Sequence, residues 1–324
     1  MTRRFGQYEI LGRLALGGMA TLDRVRTHSG AYAGQNLVLK RLLPERVTDA
    51  GWRRMFRHEI EVTSTLVHEN CVTFCEGGEL DGVLYLLMEE VHGPHLGQWI
   101  GAALRGRRSV PVILCAGLLR QVALGLAHIH RCADAPATGG RSIIHRDVCP
   151  QNILIDERGC AQLIDFGISH SQNAPPELAD NIVRGRPGYM SPEQCRGERV
   201  DPRSDVFSWG IVAYELFTQR RLFQAATQEE QLAINERAQI APVRTRNAAL
   251  PMELAQIVDL ALMRRPAERA CQMDQIADRL LAWLQSQAGY SSSVPFQQWM
   301  SGQWTAWHDQ NQKDMLSSAQ SGEP

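Results

Sequence analysis

The chain predicts an α+β fold of two lobes, a small N-terminal β-sheet lobe with one helix and a larger helical C-terminal lobe. Three observations carry that prediction. Short apolar or alternating runs, broken by Gly, Ser or charge, fill residues 8–90, as half-buried strands require. Within them one stretch, Trp52 to Leu66, repeats Met55, Phe56, Ile60, Thr63 and Leu66 at helical spacing. Beyond Val91 long apolar segments of helical character take over, so the joint between lobes falls near Glu89 to Gly93.

Taken in order, the strands are YEILGRLAL from Tyr8, TLDRVRT from Thr21, NLVLKRLL from Asn36, CVTFCEGGEL from Cys71 and VLYLLMEE from Val83. The helical lobe, residues 91–284, opens its core with VILCAGLLRQVALGLAHIH from Val112, a long and mostly buried helix. VFSWGIVAYELFT from Val206, PMELAQIVDLAL from Pro251 and MDQIADRLLAWLQ from Met273 complete it. Between His130 and Ile143 the Pro/Gly/Ala-rich run RCADAPATGGRS reads as a surface insertion. Residues 285–324 form a polar Ser/Gln-rich tail, expected to be disordered over 309–324. In it a short helix over 294–307 would gather Phe296, Trp299, Met300, Trp304 and Trp307 on one stripe. That stripe either folds back on the large lobe or docks a partner.

Bulk properties exclude several classes. A net charge of −1 gives no footprint for nucleic acid, and the run Arg105, Arg107, Arg108 reads as a solvated loop. The first residues carry no apolar core of a secretory signal, and no membrane span is expected. Eight cysteines, with no CxxC pair, read as reduced thiols of a cytoplasmic protein.

The chemistry concentrates between His145 and Gly167, HRDVCPQNILIDERGCAQLIDFG. Strand residues Ile153 to Ile155, a polar turn near Glu157, Arg158 and Gly159, and a returning strand bring Asp147, Asn152 and Asp165 to one end of a small sheet. That is a proton acceptor beside two oxygen ligands, and Mg²⁺ bound with phosphates takes few carboxylates. Upstream, the first hairpin reads Leu14, Ala15, Leu16, Gly17, Gly18, Met19, Ala20, Thr21, Leu22. Small residues there let backbone amides close over phosphates. Lys40 ends a strand, and Glu59 sits on the helix that follows it.

These motifs resemble the eukaryotic-like (Hanks-type) serine/threonine protein kinases of bacteria, over residues 8–284. The resemblance implies the two-lobed protein-kinase fold, ATP and Mg²⁺ as cofactors, and protein substrates with Ser or Thr acceptors. It implies that Lys40, held by Glu59, meets the nucleotide phosphates. Leu22, Val38 and Leu154 would enclose adenine, with Met88, Glu89 and Val91 lining the linker. Asp147 would accept or orient the hydroxyl proton, and Asn152 and Asp165 would hold the metal. GYMSPEQ, Gly188 to Gln194, resembles the family's substrate-positioning segment. Glu193 is expected to pair with Arg269, and Asp205 to anchor the catalytic loop.

The departures are specific. Ala15 and Ala20 stand where glycines are usual, which predicts a stiffer phosphate loop. Cys149 replaces a lysine that meets the terminal phosphate, and Arg186 replaces a threonine; Arg186 either restores the missing charge or faces elsewhere. Cys149 is also a candidate redox-sensitive thiol. Arg146 would find a fixed negative partner in Glu177 or Asp180. These departures keep a second reading open, an inactive nucleotide-binding scaffold. A small-molecule phosphotransferase is a third, against which GYMSPEQ and Asp205 argue.

Overall fold

In the computed structural model the residues described are 3–105, 110–132, 142–165, 186–269, 272–288, and 298, 301, 302 and 305. The first lobe is a six-stranded antiparallel sheet in the order β1-β2-β3-β4-β6-β5. Its strands are β1 (Arg4–Phe5), β2 (Tyr8–Leu16), β3 (Ala20–Thr27), β4 (Asn36–Leu42), β5 (Phe74–Leu80) and β6 (Val83–Glu89). The helix α1 (Ala50–Thr65) crosses between β4 and β5. Asp49 starts it, its carboxylate accepting from the N–H groups of Gly51 and Trp52 at 2.8 and 3.0 Å. All five strands expected from the sequence are present, and β1 is additional.

Both faces of this sheet are covered, and the two-residue period decides what each receives. One face carries Ala20, Leu42, Leu84, Leu86 and Met88 against Trp52, Met55, Phe56 and Val62 of α1. Lys40, Leu22 and Val38 share that face, at its open end. The other face buries Val25, Leu37, Leu39 and Leu87 under Phe5 and Tyr8. Glu76 is fixed there by the hydroxyls of Tyr8 and Tyr85, donating at 2.5 and 2.7 Å. The short β1 therefore roofs a second core.

The larger lobe comprises α2 (Leu96–Arg105), α3 (Val112–Arg131), a hairpin β7 (Ile153–Ile155) and β8 (Ala161–Leu163), then α4 (Pro192–Cys195). It is completed by α5 (Pro202–Thr218), α6 (Gln228–Arg237), α7 (Met252–Ala261) and α8 (Met273–Gln285). By length and composition α3 could cross a bilayer, against the sequence expectation, but it is mostly buried as the lobe's central helix. Trp209 of α5 locks onto it, donating its ring N–H to the Leu119 carbonyl at 3.1 Å. Gly125 permits close packing: a Cβ there would stand 2.8 Å from the Asn70 carbonyl oxygen. At the joint, a Cβ on Gly93 would stand 1.8 Å from the Ile155 carbonyl oxygen, so only glycine lets the linker pass the end of β7. The long insertion (133–141), the arginine run at 107–108 and the aromatic tail stripe lie outside the described residues.

Candidate active site

The cleft between the lobes is lined from both. Within β4, Lys40 points into the cleft, and its ammonium meets Glu59 Oε1 of α1 at 2.5 Å and Asp165 Oδ1 at 3.0 Å. Lys40 and Glu59 are buried, whereas the Asp165 side chain is 39% exposed. Burial alone would push the Lys40 pKa down, but the Asp165 and Glu59 carboxylates outweigh it and hold the ammonium above its ordinary value. The Lys40 charge, against burial, holds Asp165 below the usual carboxylate range; His145 and Arg186 add to that pull. Burial, with the Asp165 charge, pushes the Glu59 carboxyl above its ordinary value while Lys40 pulls it down, and Asp165 has an open side.

Below them, Asn152 ends the turn that precedes β7. Its amide donates to Asp147 Oδ2 at 2.7 Å and to the Asp147 carbonyl at 2.9 Å. The Asn152 oxygen consequently faces away from Asp147 as an uncommitted acceptor. The other Asp147 oxygen accepts the backbone N–H of Arg186 at 3.2 Å. Two residues of this floor hold left-handed backbones, Arg146 at φ 64° and Asp165 at φ 53°. Asp205 over-determines the first: its buried carboxylate accepts from the N–H groups of His145 and Arg146, both at 2.8 Å, and from His130 Nε2 at 2.7 Å. Glu177 and Asp180, the expected partners of Arg146, lie outside the described residues.

The segment from Leu14 to Leu22 is a tight hairpin closed by Gly17 N–H donating to the Ala20 carbonyl at 2.9 Å. Ala15 and Ala20 lie in strands, with no positive φ at either, and Gly17 and Gly18 have none. The backbone path therefore tolerates the two alanines. Leu14 and Leu16 are exposed at the rim, 45% and 63%. Leu22 and Val38 are half-buried beside Lys40, Met88 stands opposite Val38 across the β4–β6 ladder, and half-buried Leu154 rises from β7 on the lower side. Glu89 and Val91 form the linker between them. These apolar walls suit a flat heteroaromatic ring.

Three ties escaped the sequence reading. Arg24 Nε donates to Glu90 Oε1 at 2.7 Å, fastening β3 to the linker. Gln194 Nε2 donates to the Arg146 carbonyl at 3.0 Å, fastening the GYMSPEQ segment to the floor. The third is the Arg186–Asp147 contact. All three join partners far apart in the chain, for which a single sequence carries no signal. Cys149, offered as a candidate redox-sensitive thiol, is inaccessible in the core, where burial pushes its pKa up to about 12. It is neither charged nor open to oxidants.

Among the described residues no three His, Cys, Asp or Glu side chains gather into a metal cage. One carboxylate and one amide oxygen at the floor nevertheless match what Mg²⁺ takes when a substrate's phosphates supply its other ligands. Asp165 and Asn152 are the residues that would hold it.

The family profile described as Protein kinase domain matches residues 8–281. The tyrosine-protein kinase MasK of Myxococcus xanthus is 30% identical over 301 residues, 92% of this chain and 46% of that protein. The serine/threonine-protein kinase PrkC of Bacillus subtilis is 29% identical over 272 residues, 82% of this chain and 38% of that protein. The chain therefore spans about half or less of these relatives. Among solved structures, the PknI kinase domain of Mycobacterium tuberculosis superimposes with a TM-score of 0.63 at 25% identity, over 87% of this chain and 97% of that one.

Proposed function

Because this chain belongs to the protein kinase domain family, we propose that it is an ATP- and Mg²⁺-dependent serine/threonine protein kinase. The family generally uses that nucleotide and metal. The observation that carries the reading is the Lys40 ammonium held by Glu59 and Asp165, with the residue before Asp165 tied to Asn152 of the Asp147–Asn152 pair by the Ile164 N–H donating to the Asn152 carbonyl at 3.0 Å. In this reading Lys40 binds the inner phosphates, and Asn152 and Asp165 would hold the metal, which would supply positive charge to offset that of the transferred phosphoryl group. Asp147 orients the acceptor hydroxyl and takes its proton. The hairpin from Leu14 to Leu22 covers the phosphates, while Val38, Met88, Glu89, Val91 and Leu154 surround the base.

PrkC, by name a serine/threonine kinase, supports the choice of acceptor; MasK, by name a tyrosine kinase, makes that choice the part most in need of a test. Purified protein is incubated with Mg-ATP and a generic acceptor protein, beside Asp147→Asn, and the phosphorylated residue is identified after acid hydrolysis. Phosphoserine and phosphothreonine are expected, with incorporation by Asp147→Asn lower by roughly 10²–10⁴-fold. Equal incorporation by the two proteins overturns the kinase reading. Phosphotyrosine as the main product overturns the acceptor assignment alone. Nucleotide binding without transfer supports the scaffold reading instead.

A further inference from the structure

Among the described residues, Arg186 brings to the cleft a cation that the arrangement above does not use. Arg186 precedes the turn Pro187–Tyr189 with an extended backbone, φ −86° and ψ 118°. Its N–H donates to Asp147 Oδ1 at 3.2 Å and its carbonyl accepts from Tyr189 N–H at 2.8 Å. The main chain is thus pinned against the proton acceptor while the side chain is exposed. No described residue forms an ion pair with its guanidinium. Its positive charge nonetheless acts on Asp165 in the cleft, and on buried Cys149 and His95 nearby.

Beside a metal held by Asn152 and Asp165, the side-chain charges of the floor favour such a group. Lys40 is divided between two carboxylates at 2.5 and 3.0 Å, and Asp147 adds another anion nearby. The catalytic-loop side chain at 149 is a buried thiol that brings no charge. A nucleoside triphosphate carries its outermost charge on the phosphoryl group that must approach Asp147, because the acceptor hydroxyl lies there. Arginine suits that position, since its planar fork matches phosphate oxygens and it is more weakly hydrated than an ammonium.

We propose that Arg186 binds the terminal phosphoryl group of the nucleotide, supplying from the substrate-side segment the cation that the catalytic loop lacks at Cys149. The assignment rests on the kinase reading above. It also makes the cation conditional, because the guanidinium is in place only while its own backbone N–H is docked on Asp147.

The test compares binding of a non-hydrolysable ATP analogue and of ADP, both with Mg²⁺, to wild type, Arg186→Ala and Arg186→Lys. ADP lacks the group in question, so its binding also reports that the variant is folded. The alanine variant is expected to lose about tenfold or more in affinity for the analogue, as for a charge-assisted hydrogen bond removed, and nothing for ADP. The lysine variant, which keeps the charge, is expected to lose less. Equal losses for the two nucleotides, no loss for either, or lysine as damaging as alanine each overturn the assignment alone. A wild-type protein that binds neither nucleotide overturns the kinase reading, and the role of Arg186 with it.

Discussion

Arg269 clasps Glu193 through two parallel hydrogen bonds of 2.6 and 2.7 Å. Its remaining N–H groups donate to the carbonyls of Met263, Arg203 and Arg264, and the guanidinium lies over the Phe207 ring at 4.8 Å. All five donors of the side chain are therefore used, and the pair is sealed from water. Replacing Arg269 by Met strands the Glu193 carboxylate and is expected to cost about 3–5 kcal/mol of stability. Urea unfolding measures it. A loss under about 1 kcal/mol, the range of a surface pair, contradicts the buried role.

Asp205 holds the strained floor. Asp205→Ala leaves the N–H groups of His145 and Arg146 without their acceptor, and so loosens the segment in which Arg146 keeps its φ of 64°. The expected result is a loss of at least about 1–3 kcal/mol in stability. Turnover should fall with little change in nucleotide affinity, since Lys40 and the adenine walls stand on other elements. Steady-state kinetics with ATP as the varied substrate reads both. A raised ATP KM at unchanged kcat would contradict this account.

His68 and His128 stack with ring centroids 5.0 Å apart, where the loop after α1 meets the end of α3. The His68 Nδ1 accepts the Asn70 N–H at 3.0 Å and so must be unprotonated. Burial, then the neighbouring His128, holds His68 below the ordinary imidazole value, with Arg131 adding and Glu69 opposing; burial and Arg131 do the same to His128. Depressed folded values mean that the unfolded chain takes up protons first. The pair's contribution is thus complete above about pH 6.5 and declines as pH falls below it. Thermal midpoints followed from about pH 7.5 to 5.5 should fall, and His128→Gln should flatten that slope. An unchanged slope in the variant would assign the acid sensitivity to other groups.

Cys149 should resist alkylation in the folded protein. A thiol with its pKa at about 12 and no exposed surface offers neither thiolate nor access. Mass spectrometry after iodoacetamide treatment is expected to find Cys149 unmodified until denaturant is added. Rapid native labelling at that residue would mean that the catalytic loop opens far more often than its hydrogen bonds suggest.

Most of the scaffold was legible because its signals are local. The alternation in YEILGRLAL and NLVLKRLL, the spacing of Met55, Phe56 and Ile60, and the apolar run from Val112 each report one element's own burial. The five polar residues of the cleft floor were legible through resemblance, and Lys40, Glu59 and Asp165 do meet. What escaped was set by tertiary contact. The strand Arg4–Phe5 is two residues long, too short to show a period, and exists because it covers Val25 and Leu37. The helix Gln228–Arg237 has little apolar face and depends on the Thr227–Glu230 capping box. Cys149 follows the polar Asp147 by two positions and reads as part of an exposed loop, yet its neighbours Val148 and Pro150 turn it inward.

One nitrogen atom, finally, records how the two lobes stand to each other. Lys40 Nζ touches α1 through Glu59 and, 125 positions along the chain, the large lobe through Asp165. Any swing of the helix or opening of the cleft strips away a carboxylate and bares the amine. Its acylation rate is therefore a chemical gauge of closure that needs no substrate. A partner, a modification or a temperature that shuts the cleft should slow that reaction, and one that opens it should quicken it.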